Sequence, residues 1–287
     1  SEKASLGNEE IQSLVKILGL QFGRCYEDTS SLRYGHLLVM ADQDYDGSHI
    51  KGLLLNLFAT YWPSLLRIGF LQQFITPIVR VSRGNEQHVF FTMKEFHDWE
   101  TQHRGESWRV KYYKGLGTST AKEGKEYFSA LETHVVPFKP ITAGEEDLLD
   151  MCFRRRRCEE RKEWMNAWSP ERTIDYSRSP LSIAEFINNE LILFSRQDCV
   201  RSIPSLVDGL KPSQRKVLHG CLRRNLTKEI KVVQLSGFVS ETELYHHGEQ
   251  SLNQTIVAMA QDFVGANNLN LLQPNGQFGT RLLGGKD

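Results

Sequence analysis

The densest chemistry in the 287-residue sequence is Asp42-Gln43-Asp44-Tyr45-Asp46-Gly47, which directly follows the apolar run His36 to Ala41. Alternate residues of an extended chain face the same way, so Asp42 and Asp44 can converge on one point, about 7 Å apart along the backbone. Carboxylates held that closely repel each other unless a cation lies between them. Hard oxygen ligands of this kind suit Mg²⁺, which keeps several waters and bridges to phosphate oxygens. Asp42 and Asp44 are therefore candidate metal ligands, the alternative being a solvated acidic turn. D-x-D-x-D-G also opens an EF-hand loop, but that loop needs a bidentate acid at its twelfth position. Counted from Asp42, that position is Leu53, and the segment before Asp42 reads as a strand instead of a helix.

Three other stretches carry charge or hydroxyls in suggestive order. Lys114-Gly115-Leu116-Gly117-Thr118-Ser119 sets a lysine beside two glycines and two hydroxyls, without the G-x-x-x-x-G-K-[ST] of a P-loop. Alone, such a stretch is more often an ordinary turn than a phosphate site. The run Arg154 to Arg157 suits phosphate contacts, or equally a solvated helix face. Arg201, followed by Asp208-Gly209-Leu210-Lys211-Pro212-Ser213-Gln214-Arg215-Lys216, puts an arginine at a turn and a lysine just before a helix start, a combination able to cradle a phosphate. Tyr245-His246-His247-Gly248 precedes the last strong helical pattern; nothing beside Tyr245 supplies a general base, so it is not read as a nucleophile.

The elements that must position these groups follow from periodicity. Asn8 to Leu20 has apolar residues at helical spacing, broken by Gly19 and Gly23. His36 to Ala41 reads as a strand buried on both faces, and Ser48 to Trp62 as a helix ended near Pro63. Strand, acidic loop and helix are half of a βαβ unit, whose ligands sit at the C-terminal ends of strands. Phe74 to Ser82 and Gln87 to Phe91 read as strands joined at Arg83-Gly84-Asn85, and Trp108 to Tyr113 as a third. Helices are expected over Ala121 to Glu132 and Glu145 to Trp168, then a linker over Ser169 to Pro180. Further helices are expected from Ser182 to Leu193, from Pro212 to about Arg224, and from Gly248 to Phe263. Short helices in a basic setting, ending in a Gly-rich strand-and-loop stretch, suggest a winged-helix module.

Composition narrows the class. Lys+Arg and Asp+Glu are both 35, which excludes a histone-like or strongly acidic protein. The balance hides an asymmetry: residues 196–287 hold 11 basic and 8 acidic side chains, and Arg201 to Lys231 alone holds 8 basic against 2 acidic. A local excess of that kind can hold a polyanion. The 5 cysteines include no C-x-x-C pair, so a disulfide framework or structural zinc site is not expected. The apolar stretch Ile50 to Leu71 is interrupted by Lys51, Asn56, Pro63 and Arg67, and no membrane span is expected. With no initiating Met and a Gly-rich end at Gly284-Gly285-Lys286-Asp287, the sequence reads as an internal piece of a longer protein.

Together these residues resemble a known family. Arg33-Tyr34-Gly35, the stretch from Ala41 through Asp46-Gly47-Ser48-His49-Ile50-Lys51-Gly52, and Tyr112-Tyr113-Lys114 through Ser119 resemble the Toprim half of eukaryotic DNA topoisomerase II. Arg201-Ser202-Ile203-Pro204, Asp208-Gly209-Leu210-Lys211-Pro212, Tyr245-His246-His247-Gly248-Glu249 and Phe278-Gly279-Thr280-Arg281 resemble its winged-helix half. The match runs over nearly the whole chain in the family's order. Both halves on one chain favour the eukaryotic form over bacterial gyrase, which divides them between two polypeptides. The fold class implied is α/β plus α+β: a partial Toprim domain, with a Rossmann-like parallel sheet and helices, then a winged-helix DNA-binding domain. Residues 1–80 would be the C-terminal part of Toprim, 81–168 its extension with a basic helix, 169–180 a linker, and 181–287 the winged-helix domain.

The activity implied is ATP-dependent change of DNA topology by transient double-strand cleavage, strand passage and religation. A tyrosine forms a 5′-phosphotyrosyl link, and Mg²⁺ at the Toprim acids stabilises the 3′ oxygen. By residue match, Asp42 and Asp44 are the metal-binding aspartates and Asp46 the third acid. Arg155, Arg156, Lys211, Tyr245 and Ser251 match DNA-contacting positions, and Arg201 and His247 match the phosphate and oxyanion stabilisers. The family's E-G-D-S glutamate, its nucleophilic tyrosine with the preceding arginine, and its ATPase domain are not in this sequence. The segment alone is accordingly expected to bind DNA without cleaving it. Double-stranded DNA, a homodimeric full-length protein and the nucleus (or an organelle genome) are implied as partner, assembly and location. An alternative is a non-catalytic DNA-binding or architectural protein with a degenerate Toprim fold; three converging charges weigh against it, because a scaffold has no need of them. A Toprim nuclease or primase would lack the module from Arg201 onward.

Overall fold

The computed structural model describes residues 7–245, 248–267 and 269–286. The chain forms two compact units, residues 1–196 and residues 197–287.

In the first unit, helix α1 (Glu9–Leu18) begins where the Asn8 side chain accepts the Ile11 N–H, and it stops at Gly19, whose left-handed φ of 76° closes the last turn. The apolar run becomes strand β1 (Leu37–Met40). Helix α2 (Tyr45–Tyr61) follows, and Pro63, unable to continue its hydrogen-bond ladder, opens the short α3 (Pro63–Arg67). Strand β2 (Leu71–Phe74) then lies parallel to β1, with Leu37 opposite Leu71 and Met40 opposite Phe74. This crossover puts the acidic loop at the C-terminal end of β1, between strand and helix.

The strand expected from Phe74 to Ser82 is two strands. β2 stops at Phe74, and β3 (Val79–Arg83) starts only after Pro77, which has no N–H to give a ladder. The break lets the chain leave one sheet for another. β3 pairs antiparallel with β4 (Glu86–Phe90) across a turn at Gly84 and with β5 (Arg109–Tyr112). Helix α4 (Met93–Gln102), opened by a reciprocal Thr92–Glu95 cap, contributes Phe96 to a small core with Val79, Val81 and Phe90. Helices α5 (Ala121–Ser129) and α6 (Leu131–His134) lead to β6 (Val135–Pro137), which runs antiparallel to β2. The first sheet, ordered β1-β2-β6, is thus mixed, and the all-parallel sheet expected from the pattern is not present among the described strands. The reason is the entry point: α6 ends beside the C-terminal end of β2, where the His134 carbonyl accepts the Ile75 N–H at 2.8 Å, so the chain can only run back.

The single basic helix expected over Glu145 to Trp168 is divided into α7 (Ala143–Phe153) and α8 (Cys158–Asn166). After an irregular stretch come α9 (Ile183–Phe186), a π-helical turn (Ile187–Leu191) and α10 (Ile192–Ser202), run together end to end. Residues 169–180 are irregular as expected, but they are no linker between units. Ile174, Tyr176, Leu181, Ile183, Phe186, Ile187 and Leu191 join the core built by Leu55, Phe58, Trp62 and Leu65, and the division falls between Arg196 and Gln197, not at residue 180.

The second unit packs α11 (Pro212–Arg223), α12 (Val232–Thr242) and α13 (Glu249–Ala260) around Val217, Leu235, Val239, Leu252, Ile256 and Met259. The Gly-rich stretch after α13 holds turns; among the described residues of this unit there is no strand, contrary to the strand-and-loop expectation. Among the described residues of the whole chain, no helix is long and apolar enough to cross a membrane. Gly220 sets the crossing of α11 and α12, because a Cβ there would lie 2.8 Å from Val239 Cγ2. Gly220→Val is expected to lower the stability of this unit by about 1–3 kcal/mol through overpacking, read as a lower urea midpoint than wild type.

Candidate functional site

The acidic loop is shaped by its own helix. Asp44 is the N-cap of α2, in extended conformation, and its Oδ1 accepts the Gly47 N–H at 2.8 Å. The loop folds so tightly over the helix start that a Cβ on Gly47 would sit 1.8 Å from the Asp42 carbonyl oxygen, so only glycine fits. Asp42 and Asp44 are both exposed on this turn. Asp46 is not aligned with them by strand alternation, since the helix begins at Tyr45 and places Asp46 in its first turn. Among the described residues no group of three or more His, Cys, Asp or Glu side chains is arranged to hold a metal, so the three aspartates do not form a closed ligand set here.

The Lys114 to Ser119 stretch, an ambiguous turn in the sequence, lies directly on Asp42. The Leu116 N–H donates to Asp42 Oδ1 at 2.7 Å. Gly115, at φ 67°, passes so close that a Cβ would lie 2.4 Å from the Asp42 carboxylate. Each of the two aspartates therefore spends Oδ1 on a backbone N–H and keeps Oδ2 without a hydrogen-bond partner among the described residues. That donor set fits a small divalent cation, which takes one or two protein carboxylates and completes its shell with water and phosphate.

The loop over Asp42 is itself held at both ends. Before it, Tyr113 donates its O–H to Glu123, and after it the Ser119 and Tyr127 hydroxyls lie 3.2 Å apart. Glu123, at the start of α5, also accepts both Lys111 Nζ, at 2.8 and 2.9 Å, and the Thr120 N–H at 2.7 Å, while Arg80 lies 3.7 Å away. Burial alone would raise the Glu123 carboxyl, but the hydrogen bonds from Lys111, Thr120 and Tyr113 together outweigh it and bring the pKa down to about 2. Burial, then the Glu123 hydrogen bond, pushes the Tyr113 phenol well above its usual range.

The loop's other side was not foreseen from sequence at all. Gln43, Ser48 and Lys51 reach into a buried network with Gln73, Tyr176 and Glu190. Lys51 read only as an interruption of an apolar stretch; its side chain is 1% exposed and 2.6 Å from Glu190 Oε1. A lysine in an otherwise apolar helix face was the one available signal.

The basic run divides by function. Arg157 binds Asp147, Asp150 and Glu160 and donates to the Asp147 carbonyl, while Arg161 caps the Met151 and Arg154 carbonyls. These contacts satisfy the end of α7, and with Arg154 in extended conformation as its C-cap the expected long helix breaks there. Arg154 is paired with Asp150 at 2.9 Å, whereas Arg155 and Arg156 are exposed and form no ion pair with a described residue.

In the second unit, Arg201 sits on α10 with Nε 3.1 Å from Asp198. Lys211 is the N-cap residue of α11; its N–H goes to Gln214 Oε1 at 2.9 Å, and its ammonium forms no ion pair with a described residue. Arg215 is taken up by Asp208 through bonds of 2.7 and 2.9 Å, which with the Leu210 N–H hold Asp208 down to about 2. The Tyr245 ring is buried in the core, with its hydroxyl 3.4 Å from Ser251 Oγ near the start of α13. His247 lies outside the described residues.

Residues 74–199 match the family model described as the C-terminal associated domain of TOPRIM, and residues 201–287 match a family model of DNA gyrase/topoisomerase IV. A probable DNA topoisomerase 2 of Dictyostelium discoideum is 55% identical over 98% of this chain and 19% of its own length. DNA topoisomerase 2-alpha of Mus musculus is 51% identical over 100% of this chain and 20% of its own length. The chain belongs to the DNA topoisomerase II family. It is also similar to the crystal structure of the Plasmodium falciparum topoisomerase II DNA-binding, cleavage and re-ligation domain, with a TM-score of 0.81 and 49% identity over all of this chain and 40% of that one. The chain spans about a fifth of the length of the curated topoisomerase II relatives it matches. Its mixed α/β architecture of small sheets and many helices is that of such a cleavage domain.

In this topoisomerase II segment Glu123 sets a pH signature. A carboxyl lowered from 4.5 to about 2 contributes stability that is complete above its ordinary pKa and is lost as pH falls towards 2. Glu123→Gln is expected to flatten the fall in melting temperature between pH 4.5 and 2 relative to wild type, measured by circular dichroism; an unchanged slope would show that the carboxylate is not held by this network.

Proposed function

We propose that this chain is the part of an ATP-dependent type II topoisomerase that holds the catalytic metal and grips the DNA segment being cut. In this reading residues 1–196 include a partial Toprim domain, and the later residues form a winged-helix DNA-binding domain. The observation that carries the reading is the pairing of the two loops: Asp42 and Asp44 each keep one carboxylate oxygen, with the Lys114 to Ser119 loop laid against Asp42. Asp44 caps α2 and Asp42 ties down the second loop, yet each keeps an exposed second oxygen, which suits a cation that must also touch phosphate.

Asp42 and Asp44 would hold Mg²⁺, with Asp46 as a further acid close by. When bound, the ion would supply electrostatic stabilisation to the 3′ oxygen as it leaves and returns. The chain's own work is positioning. Arg155 and Arg156, exposed and uncommitted, would bind backbone phosphates, as would Lys211 at the start of α11. Ser251 and the Tyr245 hydroxyl would meet DNA at the start of α13, and Arg201 with His247 would steady the phosphate being attacked. The covalent phosphotyrosyl link would be formed by a tyrosine outside these 287 residues. ATP would be bound outside this chain, and the full-length protein would act on double-stranded DNA as a homodimer in the nucleus.

Asp44→Asn, placed in the full-length protein, is expected to reduce cleavage of supercoiled plasmid by about 100-fold or more, in line with the loss of one transition-state charge partner, while duplex affinity stays within about 3-fold on the same scale. Cleavage at the wild-type rate would refute the metal assignment, whereas no strand breakage by the full-length wild-type protein under any metal would leave a non-catalytic DNA-binding protein. A second expectation concerns phosphate contacts. Replacing both Arg155 and Arg156 by Ala should reduce the slope of log affinity against log salt by about 2, close to one unit per lost contact. The measurement is fluorescence anisotropy with a short duplex at several salt concentrations, with Arg157→Ala as the paired-arginine comparison.

A further inference from the structure

Beneath the acidic loop, several polar groups converge on one carboxylate. Glu190 Oε1 accepts from Lys51 Nζ at 2.6 Å and from Ser48 Oγ at 2.8 Å, and Oε2 accepts from the Tyr176 hydroxyl at 2.9 Å. Two of these links continue into the loop. Ser48 Oγ is also 3.0 Å from the Asp44 carbonyl oxygen, so its single hydrogen is shared between Asp44 and Glu190. Tyr176 accepts Gln43 Nε2 at 2.7 Å, and Gln43 lies between Asp42 and Asp44.

Glu190 is brought there by two features of the backbone. It belongs to the π-helical turn Ile187–Leu191, a wide turn that occurs rarely and is frequent at functional sites. Opposite it, Gly52 lets α2 approach so closely that a Cβ would lie 3.0 Å from Leu191 Cδ1 and 3.2 Å from Phe153 Cζ. An anchor for the body of α2 would need only Lys51. Ser48 and Tyr176 complete the hydrogen bonds of the buried carboxylate and also extend its reach into the Asp42–Asp44 turn, to the Asp44 carbonyl and the Gln43 side chain.

We propose that Glu190 is a positioning residue for the acidic loop, setting the Asp44 backbone through Ser48 and the Gln43 side chain through Tyr176, and so the placement of the Asp42 and Asp44 carboxylates. The role in catalysis rests on the metal reading given above. Removing Glu190 itself would strand the buried Lys51 and endanger folding, so the informative variants are Tyr176→Phe and Ser48→Ala, which cut the links to the loop and leave the ion pair. Ser64→Ala serves as the control, because it removes a buried hydrogen bond to the Tyr26 N–H in the same core but none to the loop.

Two measurements test this. In this chain without metal or DNA, amide exchange at Gly47, whose N–H is bound by Asp44, should quicken about 5-fold in Tyr176→Phe and in Ser48→Ala, the scale of one lost hydrogen bond. Exchange in the body of α2 should stay at the wild-type rate, and Ser64→Ala should leave Gly47 unchanged. In the full-length protein, the Mg²⁺ concentration for half-maximal cleavage should rise about 3- to 10-fold in the two variants, on the same hydrogen-bond scale, with duplex affinity unchanged. Wild-type exchange at Gly47, or faster exchange throughout α2, would overturn the tether. Faster exchange at Gly47 with an unshifted Mg²⁺ midpoint, where Asp44→Asn still abolishes cleavage, would overturn its service to the site. If Asp44→Asn cleaves normally, the metal reading and this role fall together, and the exchange data still report separately on the tether.

Discussion

The first unit is organised by an ion pair that most proteins avoid. Lys51 and Glu190 lie 2.6 Å apart with side chains 1% and 8% exposed. Taking both charges out of water costs several kcal/mol per ion, and the cost is offset only when geometry is good and the remaining donors and acceptors are used. Here most are used: Glu190 receives three donors, and Lys51 gives a second bond to Gln73 Oε1 at 3.1 Å, on β2. The pair thereby joins the helix after the acidic loop, the strand beside that loop and the π-helical turn in one network. Losing either partner alone would leave a buried charge unmatched, typically about 3–5 kcal/mol of destabilisation. Burial of this kind is weak as a source of stability and strong as a source of register, since no sliding of α2 along the π-helical turn preserves all the bonds at once.

Register matters because the exposed side of the loop is built to van der Waals tolerance. Gly47, Gly52 and Gly115 each stand where a Cβ would meet another group at 3.0 Å or less. Each closes a different approach: loop to helix start, α2 to the π-helical turn, and the Lys114 to Ser119 loop to Asp42. With the buried network fixing α2 from below and Glu123 fixing the second loop through Lys111, Tyr113 and Thr120, Asp42 is gripped from both directions. Such a site loses its shape through changes far from the carboxylates as readily as through changes to them.

What was legible in the sequence follows a simple division. Features written in local pattern were found: β1 as an apolar run, the acidic loop at its end, α11 opening on Pro212, the hairpin at Gly84. Features set by partners distant in sequence were not. The break of the long basic helix depends on Arg157 reaching back to Asp147 and Asp150, and Arg-rich runs look helical when read alone. The unit boundary was placed too early because residues 169–180 are poor in apolar side chains, yet the few present, Ile174 and Tyr176, are buried. The mixed sheet turned on where α6 ends relative to β2, which no periodicity records. At the site, Asp42 and Asp44 were recognisable from type and spacing, and the contact between the two loops was not, since Asp42 and Leu116 are 74 residues apart. Glu190 and Tyr176 had no signal beyond being a polar pair near an apolar helix.

The way the oxygens are shared out bears on which cation the proposed site would accept. Because Oδ1 of Asp42 belongs to the Leu116 N–H and Oδ1 of Asp44 to the Gly47 N–H, each carboxylate can offer one oxygen without breaking a bond. Two monodentate ligands are too few for Ca²⁺, which gathers six to eight oxygens and favours bidentate acids, but they suit an ion that keeps most of its water and dehydrates reluctantly. Each loop thus fixes one carboxylate in advance, and the proposed ion would keep its other positions for water and a phosphate oxygen, the arrangement needed if it is to act on DNA instead of merely bracing the fold.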